Sequence, residues 1–135
     1  MSKRIEDIEG IGPSCGNKLR AAGVSNTARL LAAGATRKGR AELVARTGLS
    51  DGLIMRCVNM ADLFRIRGVA SQYAELLEAS GVDTVKELRN RRADNLTAKM
   101  REVNAAKRLC RLVPSEKTVA GWIEQAKSLP PAVTY

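Results

Sequence analysis

The stretch IEDIEGIGPSCGNKLRAAG, residues 5–23, decides the fold because it interrupts two apolar half-turns with residues that break helices. Gly10, Gly12 and Pro13 fall within four consecutive positions. A glycine inside a helix costs about 1 kcal/mol relative to alanine, and a proline costs about 3 kcal/mol. The chain is therefore expected to turn at these residues, with one helix ending before them and another beginning after them.

The same pattern returns 58 residues later, in LFRIRGVASQYAELLEASGV, residues 63–82. At this constant offset Gly68 aligns with Gly10 and Gly81 with Gly23, and apolar residues align with apolar residues over 26 positions. Such self-similarity is the sequence signature of a repeated structural unit. We predict two repeats, residues 1–58 and residues 59–135, packed as one compact structural unit.

The segments between the turns have helical spacing, helix caps and no sustained strand alternation. The sequence therefore predicts an all-α protein of about nine short helices. Their predicted ranges are 3–8, 14–22, 26–34, 37–47, 51–64, 71–80, 84–92, 94–112 and 115–128.

Composition favours a polyanionic partner. The chain has 23 basic and 14 acidic residues, a net charge of +9 and a pI of about 10. That balance favours nucleic acid over an acidic membrane surface, although a merely soluble basic surface is an alternative. The chain has three distant cysteines and no histidine, so zinc spacings and a disulfide framework are not expected. No apolar run approaches 18 residues and no signal-peptide core is present, so we expect a cytoplasmic protein with no membrane association.

Each glycine turn has a chemical consequence. Glycine adopts positive φ at no steric cost, and the apolar residue beside it, Ile11 or Val69, is expected to point inward. Main-chain N–H groups are left at the tip, where a helix N-terminus adds further donors and a partial positive charge. Such a turn is a ready anion site, and Lys18 lies one turn into the following helix.

The two copies of the turn are not equivalent. Ala70 replaces the second glycine, and Glu75 takes the position of Asn17. A positive φ at Ala70 would cost roughly 1 kcal/mol, and Glu75 would repel phosphate. We predict that the first turn is the better phosphate site and that the second, helped by Arg67, is weaker or structural.

IEDIEGIGPSCGNKL resembles the helix-hairpin-helix motif of DNA polymerases, glycosylases, ligases and Holliday-junction proteins. The resemblance implies a hairpin that grips the sugar-phosphate backbone without reading sequence, in a paired helix-hairpin-helix domain. Together with EVN, VPSEK, WIEQAKSLP and the final VTY, the tandem also resembles a bacterial family of unknown function, number 4332, over nearly the whole chain. That second resemblance implies boundaries and no activity.

Basic clusters extend the predicted site. In TRKGR the residues Arg37, Lys38 and Arg40 occupy the first turn of a helix capped by Thr36, where cations oppose the helix dipole. An external anion explains them better than stability does. A row of Arg101, Asn104, Arg108 and Arg111 is predicted along one helix, either as a solvent face or as a second phosphate-tracking surface. The predicted nucleic-acid-binding residues are Gly10, Ile11, Gly12, Ser14, Lys18, Arg37, Lys38, Arg40, Arg67, Gly68, Ala70 and Ser71.

The function expected from these residues is non-enzymatic, sequence-independent binding of nucleic acid, duplex DNA in particular. No catalytic residue, metal site or cofactor is predicted, because the chain lacks histidine and clustered carboxylates. Trp122 is interpreted as a core anchor of the last helix. Two alternatives stay open: both turns are only tight helix connectors, or the paired motifs form a protein-protein interaction or dimerisation scaffold.

Overall fold

The computed structural model describes residues 3–8 and 10–135, and within these ranges it contains no strand. The predicted all-α class is confirmed. In chain order the described residues form a 3-10 helix (Ile5–Asp7), α1 (Pro13–Ala21), α2 (Thr27–Gly34), α3 (Arg37–Thr47), α4 (Asp51–Leu63), α5 (Ser71–Ala79), α6 (Val85–Leu88), α7 (Ala93–Lys107) and α8 (Glu116–Ser128).

Most helices begin where the sequence supplies a capping side chain. An oxygen of the residue before the helix accepts a main-chain N–H of its first turn, which satisfies a donor that has no intrahelical partner. The residues that cap in this way are Asn26, Thr36, Ser50, Thr84 and Ser115. These local bonds explain why the starts of α2, α3, α4, α6 and α8 match the predicted ranges closely.

Two predicted ranges are too long. The helix predicted over 84–92 is the single turn α6, and the helix predicted over 94–112 ends at Lys107. Arg108 adopts a left-handed conformation, with φ of 52°. The Asn104 side chain then bonds the main chain of Cys110 twice, donating at 2.9 Å and accepting at 3.0 Å. Arg108 and Arg111 therefore do not continue the row on α7 that the sequence predicted.

The backbone angles of the first turn recur 58 positions later. Gly10 and Gly68 have φ of 86° and 91°. Gly12 has φ −79° and ψ 174°, and Ala70 has φ −84° and ψ 172°. The prediction of strain at Ala70 is therefore wrong, because the second position of the turn has an extended backbone conformation that any residue can adopt. Below, hairpin 1 denotes residues 10–14 and hairpin 2 denotes residues 68–72.

Apolar side chains from both halves of the chain form one buried cluster. Ile11 and Val69 both point into it, as predicted, and are 9% and 2% exposed. Trp122 is buried as well, with its ring centroid 5.5 Å from that of Tyr73, so its interpretation as a core anchor is confirmed. The last residues return to the first half of the chain, where the Thr134 N–H donates to the Ala35 carbonyl at 2.8 Å.

An ion pair ties the 3-10 helix to α1. The Arg20 guanidinium donates to the two Glu6 carboxylate oxygens at 2.7 and 2.6 Å. A Cβ atom at Gly16 would lie 3.1 Å from Glu6 Oε2, so this glycine makes room for the carboxylate. The hydrogen bond from Arg20 lowers the pKa of Glu6 from its ordinary 4.5 to about 2.

A pH dependence of stability follows from the lowered pKa. A carboxyl with a lower pKa in the folded protein stabilises the fold above its unfolded pKa, and that contribution is lost as the pH falls through the folded value. We expect Glu6→Gln to unfold at lower urea concentration than the wild type at pH 7, with the gap closing between pH 4.5 and about 2. Urea melts across that range test this, with Glu124→Gln as an exposed control. A gap that stays constant with pH would contradict it.

Candidate nucleic-acid interface

Hairpin 1 brings the chain from the 3-10 helix into α1 through a tight turn. The Ile11 N–H donates to the Ile8 carbonyl at 3.2 Å, and Gly10 supplies the positive φ that the turn requires. Gly12 stands immediately before α1, and Pro13 is the first helical residue. Proline suits that position because a first-turn N–H has no intrahelical acceptor in any case.

Three main-chain donors of this region bond to nothing within the part of the chain that the structure describes. They are the N–H groups of Gly12, Ser14 and Cys15, and the first bond of α1 is Gly16 N–H to the Gly12 carbonyl at 3.0 Å. Gly12 and Ser14 are exposed, and a Cβ atom at Gly12 would meet no atom within 4 Å. The approach to the Gly12 and Ser14 donors is therefore open, whereas Cys15 is half-buried, and all three lie at a helix end that carries a partial positive charge.

Two cationic side chains lie beside hairpin 1. Lys18 is exposed and forms no ion pair with any residue in the described ranges. Arg56, from α4, lies against Gly10 so closely that a Cβ atom there would overlap its guanidinium. Arg56 also pairs with Glu78 of α5 at 3.3 Å. Sequence reasoning missed Arg56, because an arginine beside an apolar stripe gives no sign that it reaches a turn far earlier in the chain.

The structure places Arg40 inside the protein, at 8% exposure. Its guanidinium donates to the carbonyl oxygens of Gly34 at 2.9 Å, Ala35 at 3.2 Å and Thr134 at 2.6 Å. These bonds explain a cation at the start of a helix without any external anion. Arg40 is therefore a structural residue, and we remove it from the candidate interface.

Arg37 and Lys38 are exposed, but the structure does not tie them to hairpin 1. Arg37 lines a groove with Asp51 and Tyr135. Near the C-terminal end of α3, Arg46 donates a hydrogen bond to the carbonyl of Ala22, the residue that follows α1, at 3.0 Å. This bond lies at the opposite end of both helices from Arg37 and from hairpin 1. The two cations of TRKGR that remain exposed are thus a separate basic patch at the start of α3.

Hairpin 2 is held by other parts of the chain. The Gln125 side chain of α8 accepts the Arg67 N–H at 2.8 Å and donates to the Arg67 carbonyl at 3.2 Å. A Cβ atom at Gly68 would lie 3.1 Å from Nε1 of Trp122. The Arg67 side chain and Ala70 are exposed, and both line a groove of about 510 Å³. Binding at hairpin 2 stays a prediction.

A hydrogen bond connects hairpin 2 to the 3-10 helix that precedes hairpin 1. The hydroxyl of Ser71, the first residue of α5, donates to the main-chain carbonyl of Asp7, just ahead of hairpin 1. Hairpin 2 therefore lies beside the 3-10 helix that leads into hairpin 1, although the two segments are far apart in sequence.

Of the three cysteines, Cys57 has a buried thiol that takes no part in this surface chemistry. All three carry free thiols. Burial raises the pKa of Cys57 to about 11, which keeps that thiol protonated at neutral pH. A protonated, buried thiol is a packing group rather than a nucleophile or metal ligand.

Comparison with known proteins places the chain in one family. The model of a domain of unknown function, DUF4332, matches residues 9–129, and the chain belongs to that family. No curated protein and no solved structure matches it. In the described ranges, none of the helices combines the length and apolar character needed to cross a bilayer.

Proposed function

We propose that this protein binds nucleic acid through its phosphate backbone, without reading sequence and with duplex DNA as the preferred ligand. The observation that carries the proposal is that the N–H groups of Gly12, Ser14 and Cys15, at the start of α1, bond to no acceptor among residues 3–8 and 10–135, and that Gly12 and Ser14 are exposed. The recurrence of the hairpin angles at residues 68–70 supports the interpretation of the chain as a tandem of helix-hairpin-helix motifs.

The chemistry of hairpin 1 matches a phosphate oxygen. Unbonded amides at a helix N-terminus donate hydrogen bonds and supply a partial positive charge, which together favour an anion. Lys18 adds a full charge one turn further along the helix. Contacts of this kind are made to phosphate and sugar and carry no sequence information. The net charge of +9 attracts a polyanion over a longer range.

The surface favours this function over a dimerisation scaffold. The large apolar side chains exposed among the described residues are Leu112, at 77%, and Tyr135, at 69%. The buried centre of a stable protein interface is apolar and usually contains several such side chains. The chain instead presents basic side chains, which suit a polyanion.

A salt titration tests the proposal. Fluorescence anisotropy with labelled duplex, single-stranded and branched DNA and with duplex RNA, at several salt concentrations, gives the affinity for each ligand. We expect log K to fall linearly with log salt, by about 0.9 for each phosphate neutralised on a duplex. Binding that does not depend on salt, or a stable dimer by analytical ultracentrifugation with no nucleic-acid binding, would contradict it.

Substitutions at hairpin 1 are expected to weaken binding without unfolding the protein. Gly12→Val places a branched side chain in front of the open amides, and its extended backbone angles are allowed for valine. Lys18→Glu reverses an exposed charge. Each change should reduce the affinity for duplex DNA about tenfold, the loss of roughly one charge-assisted hydrogen bond. Anisotropy titration gives the affinity, and circular dichroism checks the helix content.

Lys117→Glu is the matched control, because Lys117 is exposed on α8 and the variant has the same net charge as Lys18→Glu. We expect the control to lose much less affinity. Equal losses in Lys18→Glu and Lys117→Glu would mean that only total charge matters and that hairpin 1 is not the contact.

A further inference from the structure

The turn that ends α7 is locally unfavourable and firmly held. Arg108 is the non-glycine residue with positive φ among the described residues, a conformation that is sterically unfavourable for an L-residue. The two bonds between the Asn104 side chain and the Cys110 main chain hold the turn in place. Cys110 is buried beneath it. The turn therefore presents its side chains in a defined arrangement.

This turn concentrates positive charge that the protein does not neutralise. Residues 99–111 carry five basic side chains and one acidic side chain, Glu102, which lies 3.9 Å from Lys99. Arg108 and Arg111 are exposed and form no ion pair with any residue that the structure describes. They line one cavity of about 450 Å³. The dipole of α7 favours a cation at Arg108, but it does not explain a second guanidinium in the same cavity.

The cavity adjoins hairpin 2. Gln72, the second residue of α5, lines it together with the two arginines. Gln72 follows Ser71, whose hydroxyl bonds the chain just ahead of hairpin 1. The start of α5 therefore contacts both the arginine cavity and the 3-10 helix that leads into hairpin 1.

We propose that Arg108 and Arg111 bind phosphate oxygens of the same nucleic acid that hairpin 1 holds, forming a second contact to its backbone. The inference rests on the function proposed above and adds residues that lie outside both hairpins. A duplex carries one charge for about every 1.7 Å of its axis, so a ligand on hairpin 1 offers further phosphates to a neighbouring cationic site. The two arginines would also offset Glu75 of α5, three residues beyond Gln72, which opposes phosphate at hairpin 2.

The test compares two double variants of equal net charge. Arg108→Gly with Arg111→Gln removes both guanidinium groups, and glycine suits the left-handed position, so the fold should persist. Arg29→Gln with Lys117→Gln removes two exposed cations elsewhere, and each pair of changes lowers the net charge from +9 by 2. With labelled duplex DNA, the first variant should bind about tenfold more weakly at low salt, with a salt slope smaller by about 2. The control variant should keep a slope close to that of the wild type.

Each outcome decides the inference. If the wild type shows a steep salt slope and both double variants behave alike, Arg108 and Arg111 are not a phosphate site, while the proposed function stands. If the wild type binds no nucleic acid at low salt, both fail. If it binds polyglutamate through these arginines and not DNA, an acidic protein replaces nucleic acid and the inference is overturned. Should the double variant unfold in a thermal melt, Arg111→Gln is compared with Lys117→Gln, which has the same net charge, and the expected difference in salt slope is then about 1.

Discussion

Arg40→Ala is expected to lower the free energy of unfolding by about 3 kcal/mol. The guanidinium donates to three main-chain carbonyls, those of Gly34, Ala35 and Thr134, in a place where Arg40 is 8% exposed. Removing the donor takes this partner from the Gly34 and Thr134 carbonyls, and each such loss costs about 1 to 3 kcal/mol, whereas the Ala35 carbonyl keeps the Thr134 N–H. The aliphatic stem, which packs at the same site, is lost as well. Urea unfolding measures the change, with an unaltered dependence on urea if the transition stays two-state.

Arg37→Ala provides the control for this substitution, three residues earlier on the same helix. Because Arg37 is exposed, its removal should change stability by no more than about 0.5 kcal/mol. An Arg40→Ala variant that is as stable as the wild type but binds DNA weakly would return Arg40 to the interface.

Asp62→Ala should cost about 4 kcal/mol of folding stability. Asp62 is 2% exposed, and one of its carboxylate oxygens accepts the Val85 N–H at 2.8 Å, at the start of α6. The other accepts from Arg65 Nε at 2.9 Å. Removing one partner of a charge pair costs about 3 to 5 kcal/mol when both partners are buried, and the lower figure applies here because the Arg65 side chain is 21% exposed. Here the first turn of α6 also loses its acceptor. Chemical denaturation gives the value.

Asp62→Asn separates the two contributions. The amide oxygen still accepts the Val85 N–H, but the charge that faces Arg65 is gone. We expect a cost of roughly half that of Asp62→Ala, since the hydrogen bond to α6 accounts for a share of the total. If both variants lower the free energy of unfolding by less than about 1 kcal/mol, then neither the ion pair with Arg65 nor the hydrogen bond from Val85 to Asp62 stabilises the fold as described.

Local signals account for what could be predicted about the fold. Thr36 and Ser50 cap helices wherever a side-chain oxygen can reach a first-turn N–H, and that reach spans three residues. Gly10 and Gly68 take positive φ, which no other residue type does without strain. These constraints act within a few residues, so they can be read from the sequence without knowledge of the rest of the protein.

Two local features were predicted wrongly, the end of α7 and the backbone conformation of Ala70. Each depends on residues elsewhere in the chain or on competition between local signals. Pro114 marks a helix stop in the sequence, but α7 ends earlier, because burying Cys110 and bonding it to Asn104 outweighs continuing the helix. The predicted strain at Ala70 depends on a turn with two residues of positive φ, one at position 68 and one at position 70. The structure has one, at Gly68.

In the candidate interface, too, some residues could be predicted from the sequence and others could not. Hairpin 1 and Lys18 were predicted, since the pattern of glycine, proline and lysine lies within nine residues, 10–18. The roles of the individual arginines were not. Arg40 differs from Arg37 only in which side of α3 it occupies, and the tail that accepts its hydrogen bond lies 94 residues away. Arg56 reaches Gly10, and Arg108 comes to line the same cavity as Gln72, only after the helices have packed.

By itself, then, the sequence determined the helical class, the two bends and the helix starts, because φ preferences and capping bonds are properties of short segments. Only the tertiary structure decided which cations face solvent and which bond to carbonyls inside. An arginine has the same charge in either place, and its role depends on whether distant main-chain oxygens or water surround its guanidinium.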